Sequence, residues 1–417
     1  MFKFEEISKK VGQPIVIEGF VSAVRIQSKI AFVVLESGPH KVQCVCFGPA
    51  RIAAGELMQH GYARVEGIVA AVHQAPGGFE IKASHVELVS EAPAASWPIG
   101  PESEIGKKLE WPVARFRERK EQLILSASSE LEFQMVTFLR SKGFVGIHTP
   151  KIIGTPSESG SEVFKLKYFG EDAYLCMSPQ LGKQLAVLGG LGRVYEVGAI
   201  YRAEKSLTKK HSAEFTGFDL EIEGVKSEQE LVEIESQMLL HAMKATLQSM
   251  GPELTEAYPR ATLPKPAHVM TFAEAEEVLG ISGGESLTSE QERQLGEIME
   301  GRGFELLSIT QVPWKQRPFY HMREGAELTR SFEMIYRGIE ITSGSVREHR
   351  YEVLMKQLVE KGLTGKGMEF YLESFKLGAP PHGGFGLGLA RVVMQFLGLA
   401  SIKEAVFIHR GPGRLSP

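Results

Sequence analysis

The chain is 417 residues long, which is enough for two or more domains with a sizeable buried core. Hydrophobic residues make up 43% and charged residues 24%, as in an ordinary globular protein. The formal net charge of −4 excludes nucleic-acid binding through a globally basic surface, so any such contact must come from local basic patches.

Membrane and metal-thiolate classes are also disfavoured. The N-terminal residues MFKFEEISKK lack an apolar signal core, and no run of about 18 apolar residues occurs. We therefore expect a cytoplasmic protein without a membrane segment. The three cysteines, Cys44, Cys46 and Cys176, are too few for a disulfide framework and form no CxxC pair typical of zinc sites.

The first part of the chain predicts a small β-barrel. Between about Pro14 and Val89 the sequence has five short alternating segments, IVIEGFVSAV, IAFVVLE, KVQCVCF, YARVEGIVAAV and FEIKASHVELV. Five such strands fit an oligonucleotide-binding (OB) fold, and both cysteines of the third segment are predicted to face one side as packing residues. We predict the barrel over residues 1–90 and a linker rich in proline, alanine and serine over 91–120.

The remainder, residues 121–417, is expected to fold as a second domain. A helix is predicted from about Glu118 to Gly143. Residues 251–319 contain the helical stretches TFAEAEEVLG and SEQERQLGEIMEGRG, and we predict an inserted subdomain there.

One hairpin carries the strongest chemical signal, in GRVYEVGAIYRAEKSLTKKHSAEFTGFDLEIEG, residues 192–224. VYEVGAIYR and FTGFDLEIEG both alternate as strands do, with a polar turn region between them. Arg202 ends the first strand and can bind a phosphate, and Phe215 begins the second and can stack on a base. The loop residues 209–211, KKH, would lie over a polyphosphate. A charged surface hairpin is the alternative interpretation.

A second segment supports a nucleotide site. Residues 378–399, GAPPHGGFGLGLARVVMQFLGL, place five glycines between Gly378 and Gly388, followed by an apolar helical run with Arg391 near its start. Glycine lets a backbone approach a ligand closely, and an arginine at a helix start can hold a phosphate. The segment is not a Walker loop, because no GKS or GKT follows it. Together with the hairpin it predicts nucleotide binding.

These segments resemble motifs 2 and 3 of the class II aminoacyl-tRNA synthetases, and the whole chain is similar to aspartyl-tRNA synthetases of the archaeal type. Motif 1 of that class, a helix leading to a strand that ends in proline, has its counterpart in ELEFQMVTFLRSKGFVGIHTPKII, with Pro150 as the proline. Further matches are SESGSEVF at Ser157, SPQLGKQ at Ser178, IYRGIEITSGSVREHR at Ile335 and the C-terminal RLSP.

The resemblance implies an α+β chain in which an anticodon-binding OB barrel precedes a class II catalytic domain over 121–417, with a mainly antiparallel sheet flanked by helices. It implies an aspartate–tRNA ligase that converts L-aspartate and ATP to aspartyl-adenylate and then charges the 3′ end of tRNA(Asp), with tRNA(Asn) left open as a second substrate. Such a reaction needs positioning and charge neutralisation more than a protein nucleophile. A homodimer is also expected, because motif 1 builds a dimer interface in this class.

The resemblance also implies the residues that bind ATP, which are Arg202, Glu204, His211, Phe215, Glu340 and Arg391. Arg202 is expected on the α-phosphate, Phe215 on adenine and Arg391 on the γ-phosphate, so the two arginines are the expected catalytic residues. Mg²⁺ is the expected cofactor, with ligands at Glu333, Glu340 and Ser343, since hard oxygen donors suit that ion. A solvated strand face is the alternative for the two glutamates.

The resemblance implies that Lys183 and Arg347 select the amino acid, because their cationic groups suit the side-chain carboxylate of aspartate. Asparaginyl relatives carry an acidic residue where this chain has Lys183. The residues expected around the substrate's α-ammonium group are Glu158, Ser178, Gln180 and Asp219. Each of these alone could equally be a surface polar residue.

The barrel is implied to read the anticodon. The family uses a stacked phenylalanine, a glutamine and a glutamate, which correspond here to Phe32, Gln43 and Glu80. A buried core position is the alternative for Phe32.

Four departures from the family pattern leave a second hypothesis open. Ala390 stands where a glutamate usually precedes the motif 3 arginine, Lys210 replaces a hairpin arginine, FIHRGP at 407–412 replaces FPRDP, and Ser22 stands where many relatives have tryptophan or histidine. The second hypothesis is a paralogue without aminoacylation activity, acting as an RNA-binding or regulatory protein or passing the adenylate to another acceptor.

Overall fold

The computed structural model describes residues 4–92, 97–100, 102–155, 162–205 and 208–417. The chain divides into two compact units, Met1–Gln122 and Leu123–Pro417. Within the described ranges, none of the helices has both the length and the apolar character that a membrane span requires. The predicted boundaries at residues 90 and 120 remain a prediction.

The first unit contains a closed five-stranded barrel. Its strands are β1 (Pro14–Ile26), β2 (Ile30–Ser37), β3 (His40–Phe47), β4 (Tyr62–Ala71) and β5 (Phe79–Ser90), with helix α1 (Gly48–Ala54) after β3. They close in the order β1-β2-β3-β5-β4, and only the β3–β5 pair is parallel among them. Alternate side chains such as Val33 and Val65 fill the core together with Cys44 and Cys46, as predicted.

The segment after the barrel has side chains that pack on it. Two short helices form here, α2 (Ile105–Glu110) and α3 (Pro112–Arg115). The Trp97 ring stacks on His60 with 3.7 Å between centroids, and the Arg117 guanidinium lies 3.3 Å from the centroid of the Phe20 ring. The second half of the predicted linker therefore belongs to the same compact unit as the barrel.

The second unit is built on an eight-stranded sheet. Its strands are β6 (Val145–Gly146), β10 (Arg193–Tyr201), β11 (Glu214–Glu223), β12 (His268–Thr271), β13 (Leu306–Thr310), β16 (Ser331–Tyr336), β17 (Ile339–Val346) and β18 (His382–Gly388). Their order is β12-β13-β16-β17-β18-β11-β10-β6. The β12–β13 and β10–β6 pairs are parallel and the other neighbours are antiparallel, which confirms the predicted mainly antiparallel sheet.

Smaller sheets and helices complete this unit. The smaller strands are β7 (Ile152–Ile153), β8 (Lys165–Tyr168), β9 (Glu171–Leu175), β14 (Arg323–Glu324) and β15 (Leu328–Thr329). The helices are α4 (Arg119–Ser141), α5 (Gln180–Ala186), α6 (Glu228–Ala257), α7 (Phe272–Leu279), α8 (Ser289–Gly301), α9 (Tyr351–Glu360), α10 (Glu369–Ser374) and α11 (Leu389–Leu397). The helix predicted from Glu118 to Gly143 is α4. Apolar side chains of α6 and α11 pack with those of β11, β16 and β18 in the main core.

The segment predicted as an inserted subdomain contains the two predicted helices, α7 and α8. Each begins with a capping box, in which Thr271 pairs with Glu274 and Thr288 with Gln291. Strands β12 and β13 of the same segment extend the main sheet, so the segment is continuous with it. Its treatment as a separate subdomain remains a prediction.

Candidate active site

Strand β11 organises the site because one of its faces is apolar and the other carries carboxylates. Phe218, Leu220 and Ile222 point into the apolar core. Asp219 and Glu221, at alternate positions, lie on the opposite face, where both are buried. A polypeptide strand that carries two buried carboxylates on one face requires cationic partners for them.

A cavity of about 600 Å³ opens on this face. It gathers residues from distant parts of the sequence, and the predicted residues that line it are Ser178, Gln180, Arg202, Glu204, His211, Phe215, Asp219, Glu340, Ser343, Arg347 and Arg391. Lys183 and Glu333 are not lining residues, but each is hydrogen-bonded to one. Lys183 donates to Asp219, and Glu333 accepts from Arg317. Glu158 lies outside the described residues.

At one end of the cavity, Lys183, Asp219, Glu221 and Arg347 form what we call the charged cluster. The Lys183 Nζ donates to Asp219 Oδ1 at 2.9 Å and lies 3.5 Å from Glu221 Oε2. Arg347 donates from Nε and Nη2 to the two Glu221 oxygens at 2.8 and 3.2 Å. All four residues are at most 5% exposed, so two cations and two carboxylates compensate each other out of contact with bulk water.

The charges of the cluster fix its protonation. Burial acts to raise the pKa of Glu221, but the charges of Arg347 and Lys183 outweigh burial and hold that pKa below its usual value. Burial acts to lower the pKa of Arg347, and the opposing charge of Glu221 raises it overall. Arg347 also donates from Nη2 to Gln180 Oε1 at 3.1 Å, which ties a cavity-lining amide to the cluster.

His321 borders the cluster in one defined tautomer. Its Nε2 lies 3.3 Å from Arg347 Nη1, and a guanidinium only donates, so Nε2 accepts and Nδ1 carries the proton. Burial and then the charge of Arg347 lower the pKa of His321 well below its usual value, which keeps the ring neutral. Its Nδ1 has no hydrogen-bond partner within the part of the chain that the structure describes. His321, which lines the cavity, thus has a neutral N–H group that is buried and unsatisfied among the described residues.

The β10–β11 hairpin forms the other end of the cavity. Backbone pairing brings the start of β11 beside the end of β10, so that the Arg202 guanidinium lies 5.6 Å from the centroid of the Phe215 ring. Glu204 lies within 3.9 Å of Arg202 and 4.0 Å of His211. Burial, followed by the charge of Arg391, lowers the pKa of His211. This end presents a ring, two arginines and a neutral imidazole to a ligand.

Arg391 is held at the start of α11 by two backbone carbonyls. Its Nη1 donates to the Glu340 carbonyl at 2.8 Å, and its Nε donates to the Lys210 carbonyl at 3.2 Å. The Glu340 carboxylate lies 3.6 Å from Nη1. Ala390 provides no carboxylate, but Arg391 is nevertheless fixed from outside its own helix.

The glycines of β18 serve a purpose that the sequence interpretation missed. A Cβ at Gly384 would lie 2.1 Å from the Leu220 carbonyl oxygen and 2.3 Å from Glu221 Oε2, and one at Gly386 would lie 2.8 Å from Asp219 Oδ1. These two glycines therefore make room for the buried carboxylates of the neighbouring strand. The sequence pattern alone predicts instead that they allow close approach of a ligand.

The altered C-terminal segment supports the hairpin loop. Ala213 donates its backbone N–H to the Arg410 carbonyl at 2.9 Å, and Ser212 Oγ lies 3.1 Å from His409 Nδ1. Burial lowers the pKa of His409 to about 4, so this contact involves a neutral ring. The FIHRGP replacement thus packs against the loop that carries His211.

The predicted magnesium ligands lie near one another on paired strands. Glu333 is directly opposite Ser343 in the β16–β17 pair. Arg317 pairs with Glu333 and donates to Ser343 Oγ at 3.3 Å. Burial and then the charge of Glu340 raise the pKa of Glu333, so the two carboxylates repel each other across this space. No group of three or more His, Cys, Asp or Glu side chains suited to a metal occurs in the described residues.

This donor set fits magnesium in one specific way. Mg²⁺ is commonly held by one or two carboxylates together with substrate phosphates and water. Glu333, Glu340 and Ser343 offer two mutually repelling carboxylates and a hydroxyl beside a nucleotide-sized cavity. In this structure, the cation that pairs with the Glu333 carboxylate is the guanidinium of Arg317.

The predicted anticodon residues share one outward surface of the barrel. Gln43 Nε2 donates to Glu80 Oε2 at 3.2 Å across the neighbouring strands β3 and β5. Phe32 is half-buried, while its neighbours Ala31 and Val33 face the core. The alternative of a core phenylalanine at this position is therefore wrong.

Sequence reasoning missed four residues that shape the site, which are Glu221, Glu292, Arg317 and His321. Glu221 could have been found, because it lies two positions after Asp219 on a strand and must share its face. Arg317 and His321 come from RPFYHM, which has no periodicity or motif that predicts its place. Glu292 lies on α8, far from either motif along the chain.

Two family descriptions match the chain. Residues 105–410 match "tRNA synthetases class II (D, K and N)", and residues 15–89 match "OB-fold nucleic acid binding domain". The chain belongs to the class II tRNA synthetases of this D, K and N family. The match over 15–89 confirms the predicted OB barrel, and the α+β architecture is confirmed with it.

Two relatives that are similar over nearly their full length are aspartate–tRNA ligases. The chain is 36% identical to the aspartate–tRNA(Asp/Asn) ligase of Methanopyrus kandleri over 97% of its own length and 96% of the relative. It is 36% identical to the aspartate–tRNA(Asp) ligase of Pyrococcus furiosus over 99% and 98%. The asparaginyl-tRNA synthetase of Pyrococcus horikoshii, solved with asparaginyl-adenylate, matches with a TM-score of 0.89 at 26% identity over 98% and 97%.

Proposed function

We propose that the chain is an aspartate–tRNA ligase, which activates L-aspartate with ATP and transfers it to the 3′ end of tRNA. The observation that carries the proposal is the charged cluster, in which Arg347 lines the cavity and Lys183 is bonded to the lining residue Asp219. A carboxylate side chain suits two cationic donors, whereas an asparagine amide would leave its N–H groups facing them. Two relatives that are each 36% identical to the chain over nearly its full length are aspartate–tRNA ligases.

The other end of the cavity suits ATP. Phe215 can stack on adenine, and Arg202 and Arg391 can neutralise the phosphates as charge develops at the α-phosphorus. The aspartate carboxylate is itself the nucleophile, so the chain has to align it with the phosphorus and need not form a covalent intermediate. Mg²⁺ would bind through Glu333, Glu340 and Ser343 and would supply charge neutralisation to the polyphosphate.

The α-ammonium group of aspartate belongs on the acceptors that line the cavity. Asp219 and Gln180 offer oxygens there, and Ser178 lies beside them, with its hydroxyl accepting from the Gln180 backbone N–H at 3.1 Å. His321 adds a neutral N–H group that can donate a hydrogen bond to a carboxylate oxygen of the substrate. Together with Arg347, this set gives the amino acid an anionic and a cationic contact at once.

Recognition of tRNA is proposed for the barrel. Phe32 can stack on an unpaired base, and the Gln43–Glu80 pair offers donors and acceptors to base edges. Both tRNA(Asp) and tRNA(Asn) are within the proposal, because relatives of both kinds are similar over their full length. A cytoplasmic location remains part of the prediction.

A homodimer is also proposed, formed through the motif 1 region. Phe133 on α4 is 62% exposed, and Val145 and Ile152 farther along are each 46% exposed. Covering these large apolar side chains with a second copy of the chain would remove apolar surface from water, which favours dimer formation. Sedimentation equilibrium should give twice the chain mass of 46.0 kDa, and a monomer at micromolar concentration would contradict the assembly.

The central test is aminoacylation of purified tRNA(Asp) and tRNA(Asn) by the recombinant protein, with asparagine as the control amino acid. Charging of tRNA(Asp) alone with aspartate supports a discriminating ligase, and charging of both supports a nondiscriminating one. Charging with asparagine would contradict the role of Lys183. Folded protein that charges neither tRNA would favour the paralogue hypothesis, which none of the named relatives supports.

A further inference from the structure

Arg391 depends on contacts made by two separate segments. The carbonyls that hold its guanidinium belong to Lys210 in the hairpin loop and Glu340 in β17. Neither carbonyl can position Arg391 unless its own segment is fixed. In the described part of the hairpin loop, the Lys209 carbonyl accepts from the Ile402 N–H at 2.9 Å and the Ala213 N–H donates to the Arg410 carbonyl at 2.9 Å. Contacts with other segments therefore set the position of the Lys210 carbonyl.

One carboxylate binds both segments. Glu292 on α8 accepts two hydrogen bonds from Lys210 Nζ, at 3.0 and 2.8 Å, and one from the Glu340 backbone N–H at 3.2 Å. Glu292 is 7% exposed, and the Lys210 side chain is 12% exposed. An ion pair shielded to this degree holds its geometry far better than a surface pair.

Close packing of α8 sets the position of Glu292. A Cβ at Gly296 would lie 2.4 Å from the Gly338 Cα, so the helix touches the turn between β16 and β17 backbone to backbone. Glu292 lies one helical turn before Gly296 and therefore on the same side of α8. Glu340 follows Gly338 by two residues, so the same contact brings Glu292 to its N–H.

We propose that Glu292 is a positioning residue for the ATP end of the site. It locks the hairpin loop to β17 and so fixes both carbonyls that orient Arg391, in place of the carboxylate that Ala390 lacks. Glu292 is not among the cavity-lining residues that the structure describes, so it acts through Lys210, Glu340 and Arg391. The proposal rests on the proposed function, since it concerns how the same site binds ATP.

The test substitutes Glu292→Gln, which keeps the shape of the side chain and removes its charge. The matched control is Glu290→Gln on the same helix, where the side chain is 60% exposed. Aspartate-dependent ATP–pyrophosphate exchange gives KM for each substrate. We expect KM for ATP to rise about tenfold, because a shielded charge-assisted pair is lost, with KM for aspartate unchanged.

A second variant, Lys210→Met, removes the other side of the same bridge. If Glu292 acts through Lys210, the double variant should raise KM for ATP little more than Glu292→Gln does alone. Fully additive effects would overturn the proposal. If Glu292→Gln does not fold, Lys210→Met alone is compared with Lys209→Met, and equal KM values for ATP would overturn it.

Two results separate this inference from a structural role and from failure of the proposed function. Glu292→Gln behaving like Glu290→Gln, or raising both KM values together with a lower melting temperature, would overturn the positioning role. Native protein without aspartate-dependent exchange would refute the proposed function instead. In that case ATP binding by calorimetry still tests Glu292, with weaker binding supporting the positioning role and equal binding overturning it.

Discussion

The two ends of the cavity differ in how completely the chain satisfies its own charges. In the charged cluster, Lys183 is 1% exposed and Glu221 is fully buried. The ion pairs are short, with 2.9 Å between Lys183 and Asp219 and 2.8 Å between Arg347 and Glu221. At the ATP end, the Arg202 side chain is 41% exposed and its nearest carboxylate is 3.9 Å away. The amino-acid end is therefore preorganised by the fold, whereas the ATP end leaves charge available for phosphates.

The comparison predicts that the largest loss comes from breaking the cluster at Arg347. Arg347→Met leaves Glu221 buried without its bidentate partner, which should cost about 3–5 kcal/mol of unfolding free energy and lower exchange about 1000-fold or more. Urea denaturation and pyrophosphate exchange measure the two effects. Arg293→Met is the control, because its side chain is 51% exposed and its partners Glu290 and Glu297 are 60% and 64% exposed. Exchange within tenfold of the native protein would contradict preorganisation.

Lys183→Met should separate the two substrates. The substitution removes one of the two cations expected at the aspartate carboxylate, so kcat/KM for aspartate should fall about 100-fold while ATP binding changes little. Exchange kinetics with each substrate varied measure this, and Lys167→Met, 73% exposed, is the control. If both substrates were affected equally, the assignment of specificity to Lys183 would be wrong.

Arg202→Lys should affect only the ATP end. A lysine keeps the charge but loses the planar fork, so KM for ATP should rise about tenfold. Stability should change little, because the Arg202 side chain is partly exposed and its nearest carboxylate is 3.9 Å away. Thermal melting and exchange kinetics test both expectations, with Arg193→Lys at the start of the same strand as the control. A raised KM for aspartate would show that the two ends are not independent.

The smallest effect on activity is expected at Glu235, a residue of α6 outside the lining of the cavity. Its carboxyl accepts from the hydroxyl of Thr342, which lines the cavity, and its Oε2 has no partner in the described residues. Burial raises the pKa of Glu235 to about 8, above the ordinary value of 4.5. The folded chain therefore keeps a proton that the unfolded chain releases, and the free energy of unfolding falls as pH rises between these values.

Glu235→Gln removes that titration and keeps a hydrogen-bonding side chain. The variant should have a flatter stability profile between pH 5 and 8 and gain at least about 1 kcal/mol at pH 8. Urea denaturation at several pH values measures this. Parallel profiles for the variant and the native protein would mean that Glu235 is not the group responsible.

The barrel and the hairpin were readable from the sequence for a local reason. Strand alternation places Cys44 and Cys46 on the core side, and the same period brings Phe215 and Asp219 to one face of β11. Residues near each other along a strand carry their geometry in their spacing. The helices α7 and α8 were likewise predictable, since their periodicity and capping residues lie within a few positions.

The roles of Glu292, Arg317 and His321 could not be predicted in this way. Glu292 contacts residues 210 and 340, Arg317 contacts residues 333 and 343, and His321 contacts residue 347. No local pattern in the sequence specifies such long-range pairs. The glycines of β18 likewise predict close approach of a ligand from the sequence, although their neighbours in the fold are carboxylates of β11. Packing between elements decided each of these contacts.

The sequence by itself determined the elements, the family motifs and the residue types available for ATP, aspartate and tRNA, because these depend on periodicity and on order along the chain. Only the tertiary structure decided which charges compensate each other. Lys210 offers a cation in the sequence, yet packing of Gly296 against Gly338 brings Glu292 to it and turns a phosphate candidate into an anchor for Arg391. Burial makes such pairing obligatory, since a charge removed from water must find its partner within the fold.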